Sequence, residues 1–333
     1  MSQTRRSFLA TAALASAGAV IGLPASPALA ARTAVRMSSP GPGTAGAIWK
    51  PLIEAGFVKI PPELDLSWIL GNPGQVQLQL TAGAVDVSAY GALGVAEIAP
   101  RGSDVVIFAP STNNHGRWIV RGDSSFKAPR DLIGKKIATQ PESSDTYRQA
   151  RLAGLLHGYD LKKDFEVIFG PPTSNLALFS RGDVDAVITI EPTATRLIAG
   201  GAREIAKVGE LWQTATNDPA PLLLIGYAGR RDWVEQNRNA VDALREVLIE
   251  LNRKIKAQPE LIAQQHKAYG IPDSERGAID LLPGRMADLY AVDWNQAVFA
   301  NLDRQVAESV KAGILPTAPK KPVYLPALAG AGQ

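Results

Sequence analysis

The chain has 333 residues, 46% of them hydrophobic and 20% charged, with a formal charge of +3 and no cysteine. This length supports two domains of ordinary size, and the dispersed charge excludes a disordered or fibrous chain. The missing thiols exclude disulfides, cysteine nucleophiles and thiolate metal sites. His115, His157 and His266 match no metal-ligand spacing, so they read as surface or hinge residues and no cofactor is expected.

The first segment reads MSQTRRSFLATAALASAGAVIGLPASPALA. Arg5 and Arg6 precede an apolar run from Phe8 to Leu23, and Ala28-Leu29-Ala30 supplies the small residues a signal peptidase needs. The run is shorter than the roughly 20 apolar residues that cross a bilayer. The reading is an export signal over 1–30, cleaved near Ala30 on the way to the periplasm, and Thr-Arg-Arg-Ser-Phe-Leu resembles the twin-arginine type. Losing Arg5 and Arg6 takes the charge from +3 down by two to +1. A nearly neutral surface points to no nucleic acid and no anionic bilayer as partner.

From Val35 onward the chain repeats itself. GNPGQVQLQLTAGAVDVSAYGA, starting at Gly71, aligns without a gap on GPPTSNLALFSRGDVDAVITIE, starting at Gly170, at an offset of 99. Gly83 then pairs with Gly182, Val85 with Val184 and Asp86 with Asp185. Upstream, VRMSSPGPGTAGAIWKPL from Val35 lies over KKIATQPESSDTYRQARL from Lys135 at an offset of 100. Each copy reads as a strand (AVRMSS or KKIATQ), a helix ending near Gly56 or Gly158, and a second strand (LDLSWIL or FEVIFG). A Gly-Pro turn, a further helix and a third buried strand (VDVSAY or VDAVITI) complete it. That alternation predicts βαβ crossovers and two α/β lobes, each built on a mostly parallel sheet flanked by helices.

Asp86 and Asp185 stand at the turn into the third strand, where a carboxylate accepts backbone amides, so both read as structural. Glu191 stands at that strand's carboxyl end, the edge on which open α/β sheets bind ligands. Its counterpart is Ala92, so the shared scaffold does not require it. SSPGPGT (38–44) and QPESSDT (140–146) place small and hydroxyl residues at a helix N-terminus on the same edge, a seat for an anion. Ordinary capping by Thr44 or Ser144 is the alternative for each segment alone, and neither carries the Gly-Lys-Ser/Thr of a nucleotide loop.

Two polar, turn-rich stretches, APSTNNHGRW (109–118) and QTATNDPAP (213–221), are read as crossings between lobes. The expected first lobe is then 31–115 with 220–333, and the second is 116–219. PLLLIGYAGR reads as a strand, and Val241, Leu244, Val247, Leu248, Leu251 and Ile255 form one apolar helical stripe. Apolar sets around Ile262, Leu281 and Val306 predict further helices on the first lobe, and LPTAPKKPVYLP an extended tail.

DLIGKKIATQPESSDTYRQARL, SRGDVDAVITIEPTATRLIAGGA and TAGAVDVSAYGALGVAEIAPRGSDVVIFAP resemble the nitrate, sulfonate and taurine binding family of ATP-driven importers, and the likeness runs from about Val35 to Val310. In that family an aromatic residue precedes the acidic residue and proline; here Ile190 stands in its place. The resemblance implies a two-lobed type II periplasmic binding protein fold, a solute cleft between the lobes, closure about a hinge and docking on a membrane permease. A monomer is expected. The expected substrate-binding set is Ser39, Gly43, Thr44, Tyr90, Asn113, Ser143, Ser144 and Glu191. Hydroxyls and amides would hold a sulfonate or carboxylate, and Glu191 would pair with an amine or accept from a hydroxyl. Trp49 is assigned to the core. A sulfonate or taurine-like solute comes first; a heterocyclic or aromatic nitrogen compound, or a sensor role, are the alternatives. Enzyme chemistry is not expected, because the pyrimidine-forming relatives of this fold look to depend on a cysteine-rich motif absent here.

Overall fold

The computed structural model describes residues 32–326, so the export signal expected over 1–30 lies outside the described residues. The first copy of the repeat builds β1 (Thr33–Pro40), a 3-10 turn (Ala45–Ile48) running into α1 (Trp49–Glu54), β2 (Leu64–Gly71), α2 (Gln75–Thr81), β3 (Val87–Tyr90) and α3 (Ala92–Ile98). Next come β4 (Val105–Asn113) and β5 (Arg117–Val120). The second copy builds β6 (Lys136–Thr139), α4 (Asp145–Leu156), β7 (Glu166–Phe169), α5 (Pro172–Arg181), β8 (Ala186–Thr189) and α6 (Thr193–Ala199), followed by β9 (Arg203–Lys207) and α7 (Val208–Thr216). The remainder is β10 (Leu223–Arg230), α8 (Arg231–Gln236), α9 (Arg238–Ala257), α10 (Glu260–Gln264), α11 (Arg276–Met286) and α12 (Gln296–Lys311).

Two five-stranded sheets result, ordered β2-β1-β3-β10-β4 and β7-β6-β8-β5-β9. The orders are the same under the repeat. In each sheet the three repeat strands are parallel, and the fourth, β10 or β5, runs antiparallel to both neighbours. Each antiparallel strand is the first one laid down after the chain crosses from the other sheet: out after Asn113, and back after Thr216.

The paired aspartates pin this register. Asp86 N donates to Arg36 O while its carboxylate accepts Arg36 N at 3.0 Å; Asp185 N donates to Lys136 O while its carboxylate accepts Lys136 N at 3.1 Å. Both therefore tie the third strand to the first, the structural role expected of them. Burial works against the Asp86 charge, but the Arg36 guanidinium and amide outweigh it and hold the carboxyl below its ordinary range. Gly83 and Gly182 end the preceding helices at φ of +74° and +81°, a conformation that a side chain would strain.

The six-residue stripe of α9 is buried in one core with Val35 and Met37 of β1, Val106 and Phe108 of β4, and apolar residues of α11. Each such Leu or Ile contributes about 1.5–3 kcal/mol of transfer free energy. Residues of α2, α3 and α12 cover the other face of that sheet. In the second sheet α4 packs on one face and α5 with α6 on the other. Leu281 of α11 faces solvent, while Ile279 and Leu282 make the core contact. The tail is extended, as expected: Ile107 N donates to Val323 O and Leu325 N to Ile107 O, so the segment lies beside β4.

Candidate functional site

The strand tips and helix starts of the two sheets face one another around a cavity of about 50 Å³. Thr44, Gly46, Trp49, Gln77, Ala89 and Thr112 line it from the first sheet's side. Ser144, Asp145, Thr146 and Ile190 line it from the second, and His115 comes from the crossing chain.

Ser144 starts α4 as its N-cap: its backbone is extended, and its Oγ accepts Tyr147 N at 3.2 Å. Among the described residues the amides of Asp145 and Thr146, at the positive end of this 12-residue helix, have no hydrogen-bond partner. The Oγ of Thr112 is buried and also without a partner. Three donors or potential donors are thus left unspent at one cavity.

Asp145 also reaches the facing lobe. Its carboxylate accepts Gly91 N at 2.8 Å, Gly94 N at 3.1 Å and Gln77 Nε2 at 3.4 Å, which makes it the acceptor for the first turn of α3. The approach needs glycine at position 91, where a Cβ would fall 2.7 Å from the Asp145 carboxylate and 2.6 Å from Leu224 O. Burial pushes the Asp145 carboxyl up; Arg148 and the amides of Gly91 and Gly94 work in the opposite direction. Arg148 itself is held by Glu97 at 2.7 Å and by Ser143 O at 2.6 Å.

His115 is buried with Nδ1 2.8 Å from Asn113 O, and burial lowers its pKa to about 4, so the ring is neutral near pH 7. Further ion pairs and hydrogen bonds hold the lobes shut over the cavity. Arg285 of α11 binds Glu191 at 2.6 Å and Glu204 at 3.0 Å, and Arg196 of α6 binds Glu275 at 2.5 Å. Thr193 Oγ1 donates to Gly43 O at 3.1 Å, and Gln149 Nε2 to Leu223 O at 2.8 Å. Leu93, Leu152, Trp212 and Leu222 add an apolar contact between the two sides.

Of the expected residues, Thr44 and Ser144 line the cavity and the other six stand beside it. Ser39 is buried within β1, opposite Leu70. Gly43, at φ +81°, spends its amide on Tyr269 O and its carbonyl on Thr193. Tyr90 packs in the core behind β3, where burial raises its pKa. Asn113 Nδ2 reaches Asp288 O at 3.4 Å, and the Ser143 carbonyl holds Arg148.

Glu191 departs furthest from expectation. Its side chain is 0% exposed, and its carboxylate accepts Thr195 N at 2.9 Å, Thr195 Oγ1 at 2.6 Å and the Arg285 guanidinium at 2.6 Å. A carboxylate committed in this way ties the lobes together, and it stands outside the cavity lining rather than on it as expected. Trp49 does pack in the core, beside Tyr227 and Tyr290 with Nε1 donating to Asn252 Oδ1 at 3.1 Å, but one side of it also faces the cavity.

Residues 70–273, more than half of the chain, match the family model described as ABC transporter, phosphonate, periplasmic substrate-binding protein. The chain belongs to that family. That family is one of periplasmic substrate-binding proteins of ABC transporters. Its fold is that of the alkanesulfonate-binding protein SsuA from Xanthomonas axonopodis pv. citri bound to MOPS: TM-score 0.71, 16% identity, covering 90% of this chain and 100% of that one. The periplasmic aliphatic sulphonate binding protein SsuA from Escherichia coli is similar as well, at TM-score 0.63 and 21% identity over 86% and 94% of the two chains. A shorter likeness links the chain to an ATP phosphoribosyltransferase of Nitratidesulfovibrio vulgaris, 30% identical over 118 residues; that match takes in 32% of this chain and 36% of the relative. The chain thus spans about a third of the length of the curated relatives it matches. Among the described residues no helix is long and apolar enough to cross a membrane, and no cluster of three His, Asp or Glu could hold a metal.

Proposed function

We propose that this family member captures a small sulfonate in the cavity between its lobes and hands it, in the closed form, to a membrane permease after export through an N-terminal signal. The observation that carries this reading is the set of unspent donors at one cavity: the amides of Asp145 and Thr146 and the hydroxyl of Thr112. Sulfonate oxygens are acceptors only, so they suit a site of donors. Trp49, Ala89, Ile190 and Leu224 supply apolar walls for the carbon skeleton. Thr44 and Ser144 stay in the binding set; Thr112, Asp145 and Thr146 join it, while Glu191 acts from behind by holding α11 against the end of β8.

Binding without turnover fits the same residues. The cavity holds no cysteine, and its one histidine is neutral with a ring nitrogen tied to Asn113 O, so it presents no activated nucleophile. Isothermal titration of the purified protein with ethanesulfonate, taurine and longer alkanesulfonates tests the proposal. Saturable one-to-one binding with unchanged solute recovered afterwards supports it; heatless titrations across the series would remove it.

A further inference from the structure

We propose that the cleft admits singly charged anions and rejects doubly charged ones, with Asp145 as the residue that sets this limit, so that the solute class is alkanesulfonate and excludes the phosphonate dianion. The inference rests on the cavity being the solute site and goes on to name which charge state it takes.

Among the described residues no lysine or arginine lines the cavity. Thr44, Gln77, Thr112, Ser144 and Thr146 line it with uncharged hydroxyl and amide groups, which can donate hydrogen bonds but carry no full positive charge. Two titratable side chains line it. His115 is tied through Nδ1 to Asn113 O and is buried, so it offers no cation. Asp145 brings a carboxylate that is buried and already bonded to Gly91, Gly94 and Gln77. The guanidinium nearest to it, Arg148, lies 3.7 Å from the carboxylate and is shared with Glu97. Tyr90 and Arg101 are the other titratable groups near this cluster, and neither lines the cavity. Arg101 in turn pairs with Glu97 at 3.2 Å, so Asp145, Arg148, Glu97 and Arg101 together offer no net positive charge to the cavity, and the charged group nearest the solute is the Asp145 carboxylate.

Physical scaling then decides the preference. Stabilisation of an anion by fixed donors grows in proportion to its charge, whereas the cost of taking it out of water grows with the square of the charge. Repulsion from Asp145 also doubles for a dianion. A sulfonate keeps one charge over the whole working pH range, while an alkylphosphonate loses its second proton within it. The buried Thr112 hydroxyl without a partner is an independent sign that a ligand acceptor belongs at this place.

Titration calorimetry with ethanesulfonate and ethylphosphonate, which share one carbon skeleton, tests this at two pH values on either side of the phosphonate's second ionisation. Ethanesulfonate should bind equally at both. Ethylphosphonate should bind at least about tenfold more weakly as the dianion, equivalent to ~1.4 kcal/mol, and Asp145→Asn should shrink that ratio. A dianion that binds wild-type protein within about threefold of ethanesulfonate would overturn the proposal, as would a sulfonate affinity that falls in parallel with pH. Should neither compound bind, the sulfonate reading itself falls and this selectivity with it. The wild-type pair decides the matter even where Asp145→Asn disturbs the contact with α3.

Discussion

Replacing Glu191 probes the tie between the lobes. Glu191→Ala removes a fully buried carboxylate that accepts from Thr195 N, Thr195 Oγ1 and Arg285. Deleting one partner of a buried ion pair typically costs about 3–5 kcal/mol. Here Arg285 keeps Glu204 at 3.0 Å and its side chain remains 23% exposed, so the expected loss is about 2–3 kcal/mol. Glu191→Gln, which can still accept from the Thr195 amide, should lose about half as much. Urea unfolding followed by tryptophan fluorescence measures both, since Trp49, Trp118 and Trp212 are buried. Adding Arg285→Met completes a double-mutant cycle, with an expected coupling of about 1–3 kcal/mol. Because Arg285 comes from α11 and Glu191 from the end of β8, Arg285→Met should also weaken solute binding without touching the cavity lining. An unchanged urea midpoint in Glu191→Ala, or additivity within about 0.3 kcal/mol, would refute the assignment of this pair as an interlobe tie.

His115 gives the stability a pH dependence with a definite sign. Its pKa is lowered by burial from 6.5 to about 4, so the unfolded chain takes up a proton at higher pH than the native one. The contribution is present above pH 6.5 and is lost between there and pH 4, by about 3 kcal/mol in all; His115→Gln should flatten that part of the curve, and parallel curves for the two proteins would contradict it. Thr112→Val removes a buried hydroxyl that has no partner, so unfolding free energy should stay level or rise by up to about 1 kcal/mol while sulfonate binding weakens; a drop in stability would mean the hydroxyl is satisfied in the protein. Asp86→Ala should cost more than Asp185→Ala, about 2 against about 1 kcal/mol, because Asp86 also binds the Arg36 guanidinium at 2.6 Å; equal melting shifts would count against that.

The repeat made most of the fold legible. Gly83, Asp86, Gly182 and Asp185 stand at matched positions because they do the same mechanical work in two sheets, and that work leaves a trace in residue type. The fourth strand of each sheet left no such trace: β5 and β10 are inserted by chain crossings, and pairing across some 100 residues is a tertiary outcome. The edge that faces the cavity was legible, but the residues that line the cavity often stand one place from those expected to hold the solute. Ala89 lines the cavity where Tyr90 was expected, Thr112 where Asn113 was, and Ile190 where Glu191 was. Side chains alternate between the two faces of a strand, so a shift of one residue moves a group from the cleft to the core behind it. Both faces of these strands are buried, and hydrophobic alternation, the usual guide to facing, is therefore missing. Asp145 was passed over because a carboxylate at a helix start reads as an ordinary first-turn residue; its reach to Gly91 and Gly94 depends on how close the two lobes come.

A crystal structure of the protein grown with an alkanesulfonate tests the central claim most directly, because the sulfur can be located by its anomalous signal. The sulfonate is predicted between the start of α4 and Thr112, with its oxygens within hydrogen-bond distance of the Asp145 and Thr146 amides and its carbon chain against Trp49. Sulfur bound elsewhere, with this cavity filled by side chains or water alone, would contradict it.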